Sequence, residues 1–294
     1  MKLEPECLGC ILDQMLRAFK LLNPTISGET IIAAQKKMLK KLIEVDINKN
    51  ASPILGKTAY GIVAETLGIK DPYAQLKKEQ NRLALQFYDE AKEIVDNAND
   101  PLFEAIIVAA LGNTIDLAAQ HKIDFINDIK NFNPESLVIN DYEDFKNSIE
   151  NANDLLILGD NNGEVVFDKL LICTIKRKYP HLKIVYSVRS APIINDVTLE
   201  DAKFVSLSGL VPIIEASPTP GIDLSTSSAE FKELFFLKGG IILSKGQGNF
   251  ESLYQMEIPE KETYYLLKAK CTLMERIFQV KNGDLIFKKK THDF

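Results

Sequence analysis

The sequence predicts an α/β protein: a mostly parallel sheet sandwiched by helices, Rossmann-like, with an N-terminal lobe made only of helices. Three observations lead there. Apolar residues recur at three- and four-residue spacing through residues 1–97, with no alternating stretch. From Ser136 onward, short runs of Ile, Val and Leu alternate with helical segments, the pattern of strands buried on both faces. Polar, glycine-containing residues then follow these runs, and in open parallel sheets ligands bind beyond the strand ends. The organisation that follows is a helical lobe over 1–97 and an α/β domain over 98–294.

In chain order, Ile11, Leu12, Met15, Leu16 and Phe19 line one face of a helix over 10–22. Ser27 caps a second helix through Leu42, with Glu29 in its first turn favouring the helix dipole. Ser52 and Pro53 are the cap and first position of a third helix, where proline is tolerated. Asp71-Pro72-Tyr73 repeats that start signal for a long helix to Asn97, and Asp100-Pro101 starts another, expected to run to His121. Strands are expected at 137–140, 155–159, 184–189, 204–207, 240–244 and 264–267, with a late strand at 284–287. Helices fill 142–151, 163–179 and 227–235.

A chain of 294 residues can bury a full core, and 46% hydrophobic with 26% charged residues excludes a disordered or fibrous protein. The net charge of −6 argues against nucleic-acid binding, which needs a basic face. With no long apolar stretch and no leader pattern, the expectation is a cytoplasmic protein that does not engage membranes. Cys7, Cys10, Cys173 and Cys271 suit a reducing compartment. Cys7 and Cys10 form one CxxC, half of a four-thiolate site; Cys271 would supply a third ligand to a second metal, and plain buried thiols are the simpler reading.

The chemistry concentrates at the strand ends. Leu155-Leu156-Ile157-Leu158 runs into Gly159-Asp160-Asn161-Asn162-Gly163-Glu164, and the next strand into Arg189 and then Asn195-Asp196. Asp160, Asn161, Asn195 and Asp196 are all hard oxygen donors suited to Mg²⁺, Mn²⁺ or a similar cation. Ser244-Lys245-Gly246-Gln247-Gly248 adds a cation and glycines whose amides can hold phosphate oxygens, with Arg189 as a second, forked cation. Taken singly, Asp160 reads as a helix cap, Asn195-Asp196 as a turn and 244–248 as a plain loop. Their joint occurrence at successive strand ends is harder to explain as solvated turns. Neither GxGxxG nor GxxxxGK[ST] occurs.

The runs Gly159 to Glu164, Val188-Arg189-Ser190-Ala191-Pro192 to Asp196, and Ser244 to Ser252 resemble those of the metal-dependent damage-control phosphatases. Gly112-Asn113-Thr114-Ile115-Asp116, the Glu6-Cys7-Leu8-Gly9-Cys10 opening, Asp71-Pro72-Tyr73 with Asn81-Arg82, and Lys270-Cys271 extend the resemblance over nearly the whole chain. The CxxC opening is similar to that of the stand-alone archaeal and bacterial subfamily. The resemblance implies hydrolysis of small phosphomonoesters, sugar phosphates or damaged phosphometabolites, with one divalent cation (Mn, Mg, Co or Ni). It implies Asp160, Asn161 and Asp196 as metal ligands, with Glu164 beside them. Asn113 and Asp116 would approach from the helical lobe, and Arg189 and Lys245, with the Gly246 and Gly248 amides, would hold the phosphoryl group. Glu164 would orient or deprotonate the attacking water. No DxDx[TV] pattern announces an aspartyl-phosphate, so direct attack by water is expected. Two other functions stay open at this stage: a carboxylate methyltransferase, and a non-catalytic metal- or metabolite-binding protein.

Overall fold

The computed structural model describes residues 1, 3–46, 52–112, 125–258 and 261–291. Five helices come first: α1 (Pro5–Leu22), α2 (Gly28–Glu44), α3 (Ser52–Leu67), α4 (Ala74–Asn97) and α5 (Pro101–Leu111). The caps expected at Ser27 and Asp100 form, whereas Ser52 lies inside α3 and α4 is preceded by Tyr73. The Ser27 side chain accepts from the Thr30 N–H, and Asp100 accepts from the Leu102 and Phe103 N–H groups. Helices α1–α3 share a core of their own around Met15, Phe19, Met38 and Ala59.

After α6 (Phe125–Lys130) the strands begin: β1 (Leu137–Asn140), α7 (Tyr142–Asn151), β2 (Asp154–Leu158), α8 (Glu164–Lys178), β3 (Lys183–Val188), α9 (Leu199–Phe204) and β4 (Ile213–Glu215). Then come α10 (Ala229–Phe235), β5 (Ile241–Lys245), α11 (Gln247–Leu253), β6 (Glu262–Lys268), α12 (Thr272–Phe278) and β7 (Leu285–Lys289). The seven strands form one sheet in the order β1-β7-β6-β5-β2-β3-β4. Pairing is parallel except between β6 and β7, so the late strand returns against its neighbour.

Strand β2 shows why the sheet is buried on both sides. Leu155 and Ile157 pack with α5 and α8, while Leu156 and Leu158 pack on the opposite face with Phe231 and Phe250. From β2 the chain winds outward through β3 and β4, then crosses back to β5 on the other side of β2. That reversal opens a crevice at the carboxyl ends of β2 and β5, where Gly159-Asp160 and Lys245-Gly246 stand. Among the described residues no helix is long and apolar enough to cross a membrane.

One expected strand is corrected. Residues 204–207 are the end of α9 and a tight turn, not a strand. Asp201 accepts from the Thr198 N–H at 2.9 Å and so starts a helix, and Ser206 sits in the left-handed region at φ 61°. Val205 and Leu207 are apolar because they pack on the core around α8. The edge strand is instead Ile213–Glu215, paired with β3.

Asp100 joins α5 to α7: beyond its cap it accepts from the Tyr142 hydroxyl at 2.7 Å and the Lys146 ammonium at 3.1 Å. Burial opposes ionisation, but the Tyr142, Lys146 and Phe103 hydrogen bonds outweigh it and hold the carboxyl below its usual range. Asp100→Ala is expected to cost about 1–2 kcal/mol in urea unfolding at neutral pH. A depressed folded-state pKa gives stability that is present above the ordinary carboxylate range and lost as pH falls through the depressed value. The gap between wild type and variant therefore closes in acid; a gap that stays constant to low pH would remove Asp100 from this role.

Candidate active site

The site grows from three strand ends. After β2, Gly159 passes so close to the Tyr186 ring that any Cβ there would collide with it. The chain then presents Asp160, Asn161 and Asn162 before Gly163, at φ 80°, turns it into α8. After β3, Arg189 and Asp196 enter the same volume, and the two loops pair as a short bridge between Asn161 and Asp196. After β5, Gly246 lies against Asp160, whose carboxylate occupies the space a Cβ on Gly246 would need.

Two clusters result. In the first, Arg189 Nε donates to Asp196 Oδ2 at 2.6 Å, Nη1 donates to Asn249 Oδ1 at 2.9 Å, and Nη2 stands 3.7 Å from Asp160 Oδ1. The Asn161 amide donates to Asp160 Oδ2 at 2.6 Å. Nη2 of Arg189 is buried without a hydrogen-bond partner. In the second, Lys245 Nζ lies 2.5 Å from both Glu164 Oε1 and Asp168 Oδ1, and 3.2 Å from the Ala109 carbonyl oxygen. Tyr186 donates to the other Asp168 oxygen at 2.7 Å.

An ammonium has three N–H donors, and those of Lys245 face Glu164, Asp168 and the Ala109 carbonyl, so in this geometry it organises the two carboxylates. The Gly246 N–H donates to the Leu266 carbonyl within the sheet, at 2.9 Å. Gly246 and Gly248 serve close packing: a Cβ on Gly248 would land on the Pro220 carbonyl oxygen. Asn113 and Asp116 lie outside the described residues.

The charges are out of balance. Among the described residues, the buried carboxylates Asp160, Glu164, Asp168 and Asp196 face two buried cations, Arg189 and Lys245. Burial pushes Glu164 up to about 8 against the pull of Lys245, and Asp196 up to about 7 against the pull of Arg189. Asp160 is raised by the same desolvation. Burial alone would lower Lys245, but Asp168 and Glu164 reverse that and raise it. Glu164 Oε2 is buried with no hydrogen-bond partner. Four buried carboxylates facing two buried cations, with one carboxylate oxygen orphaned, suit a divalent cation, and the donors are the hard oxygens such a cation takes.

A cleft of about 240 Å³ adjoins the site between α3 and the loop after β3, lined by Tyr60, Tyr73, Pro192, Ile193 and Pro218. A larger depression of about 1170 Å³, at the opposite end of β5 and β6, contains none of these site residues. The crevice at the strand ends, where the buried charges converge, is therefore the better candidate.

A family model for the damage-control phosphatase ARMT1-like domain matches residues 3–286. The chain belongs to that family. It is 34% identical to a damage-control phosphatase of Archaeoglobus fulgidus, over 98% of this chain and 99% of the relative. It is 31% identical to damage-control phosphatase PH1575 of Pyrococcus horikoshii, over 97% of each. The crystal structure of PH1575, described as a DUF89 family protein, matches with a TM-score of 0.86 at 28% identity, covering 99% of this chain and 100% of that one. Membership makes the chain a phosphatase, a hydrolase of phosphate esters.

Within this family fold, the sequence reading missed three parts of the site. Asp168 is one helical turn beyond Glu164, a spacing that puts both carboxylates on one face of α8. Asn249 ties Arg189 to the Gly159 and Lys245 carbonyls, at 3.1 and 2.9 Å, and carried no local sign of that role. The third is the polar buried face of α4, with Lys77, Gln80 and Asn81 where apolar residues belong. Of the thiols, Cys10 is exposed and accepts from Gln14 at 3.2 Å, and Cys271 accepts from Gln247 at 3.3 Å. Among the described residues no three His, Cys, Asp or Glu side chains form a metal-holding group, which leaves the Cys7, Cys10 and Cys271 site without support.

Proposed function

We propose that the chain releases phosphate from small phosphomonoesters, sugar phosphates or damaged phosphometabolites, with one divalent cation (Mn, Mg, Co or Ni) held by Asp160, Asn161 and Asp196. The observation that carries this reading is the unbalanced set of buried carboxylates at the ends of β2 and β3, with Glu164 Oε2 unpartnered beside them. When bound, the cation would acidify a water and draw charge from a phosphoryl oxygen. Glu164 takes the proton of the attacking water at Oε2, held in place by Lys245. Arg189 donates from Nη2, its unpartnered nitrogen, to an equatorial phosphoryl oxygen. The cleft between Tyr60 and Pro218 takes the organic part of the ester.

The exposed Lys270 lends positive charge to Asp160 and Asp196. Lys270→Ala is expected to raise KM several-fold with kcat little changed, and the difference should shrink as salt is added. A KM insensitive to both the substitution and salt would remove Lys270 from substrate capture. The Cys7–Cys10 opening favours the stand-alone subfamily, and four unpaired thiols favour the cytoplasm.

The test is phosphate release from a panel of sugar phosphates and an aryl phosphate, after chelation and resupply of Mg²⁺, Mn²⁺, Co²⁺ or Ni²⁺ in turn. Release that returns only with metal is the expected result. Full-rate release by the chelated protein would exclude the cation, and no release with any metal would exclude these substrates.

A further inference from the structure

Helix α4 buries Lys77, Gln80 and Asn81 on one face, within little more than a helical turn of one another. Burying polar side chains costs free energy unless each is satisfied, so their partners show what the face is for. Lys77 pairs with Asp71 at 2.8 Å and with Asp201, the residue that starts α9, at 3.3 Å. Gln80 accepts from Asn195 at 3.3 Å. Asn81, fully buried, donates to Asn162 Oδ1 at 2.6 Å and accepts from the Gly163 N–H at 2.7 Å. Asn162 in turn donates to the carbonyls of Asn195 and Asp196, at 3.0 and 3.1 Å.

The loop thus held is strained. Ile194, directly before Asn195-Asp196, has φ 46°, a region β-branched residues avoid, while its side chain packs against the core of α1–α3. Some contact has to keep this backbone in place, and the amide pair supplies one from α4.

We infer that Asn81 is a positioning residue: through Asn162 it fixes the Asp160-Asn161 turn and the Asn195-Asp196 loop relative to each other, and so ties α4 to the geometry of the cation site. The inference rests on the cation reading proposed above. The hydrogen bonds of Asn81 go to Asn162 and Gly163, which are not among the three candidate ligands. It acts by holding the backbone of both loops, much as partners behind metal ligands tune affinity by about 10–100-fold.

The experiment is calorimetric titration of the chelator-stripped chain with Mn²⁺ alone, with thermal unfolding and phosphate release measured on the same preparations. Asn81→Ala is expected to weaken Mn²⁺ binding about tenfold or more. Asn81→Asp should match it, because it keeps the acceptor for Gly163 but loses the donor to Asn162. Val95→Ala, a buried change on α4 away from these loops, is expected to lower Tm and leave the Mn²⁺ Kd unchanged. The Asn81→Ala, Asn162→Ala double variant should bind no more weakly than the worse single one, since the bridge is one unit. Should Asn81→Ala fail to fold, Asn162→Asp tests the same link, keeping the contact with Asn81 and losing both carbonyl contacts. Mn²⁺ affinity within twofold of wild type in the folded variants would overturn the inference. A wild-type chain that binds no Mn²⁺ would overturn the cation reading and the inference with it. Mn²⁺ binding without phosphate release would count against the substrates tried and leave the affinity comparison decisive for Asn81.

Discussion

Asp160→Asn is expected to abolish divalent-cation binding and lower phosphate release by about a thousandfold or more, equivalent to ~4 kcal/mol in the barrier. The substitution is nearly isosteric, which matters because Gly246 leaves no room for a larger side chain beside Asp160. It removes one of the four buried carboxylates that face the two buried cations Arg189 and Lys245. Stability should therefore hold or rise while activity disappears, because the ionised carboxylate works against folding in the metal-free protein. Asp160→Ala should lose activity equally, with a small cavity as its added cost. Turnover near wild type in either variant would sink the assignment. So would loss of activity that merely followed unfolding.

That Asp160 could be singled out from sequence has a physical reason. A strand buried on both faces must be a continuous apolar run, so residues 155–158 mark themselves, and the polar residues after them must lie at a strand end. Arg189 and Asp196 were legible for the same reason. The run at 204–207 misled because burial alone does not separate a strand from the last turn of a helix. Val205 and Leu207 are buried, but Asp201 had already committed the preceding residues to α9. Asn81 reaches the site across 81 residues of chain, and nothing local to α4 announces its partner. Lys245 was only half legible. Its position at the end of β5 was readable, whereas the two carboxylates around it come from α8 and depend on how that helix packs.

Lys245→Met puts the two roles of this lysine in direct opposition. The ammonium is fully buried between Glu164 and Asp168, which are themselves almost wholly buried. Replacing it with a side chain of similar length leaves two carboxylates without their cation, and breaking a buried pair from one side typically costs about 3–5 kcal/mol. A large fall in the urea midpoint is therefore expected, together with loss of phosphate release as Glu164 loses its anchor. Adding Asp168→Asn should recover part of the stability by removing one uncompensated charge, and the shortfall from additivity measures the coupling. Phosphate release should stay low in that double variant, because Glu164 still lacks Lys245. A lysine that held the phosphoryl group would behave otherwise: its loss would raise KM and cut turnover while leaving the urea midpoint near that of wild type. Stability and kinetics measured on the same two variants therefore separate a lysine that builds the site from one that binds the substrate.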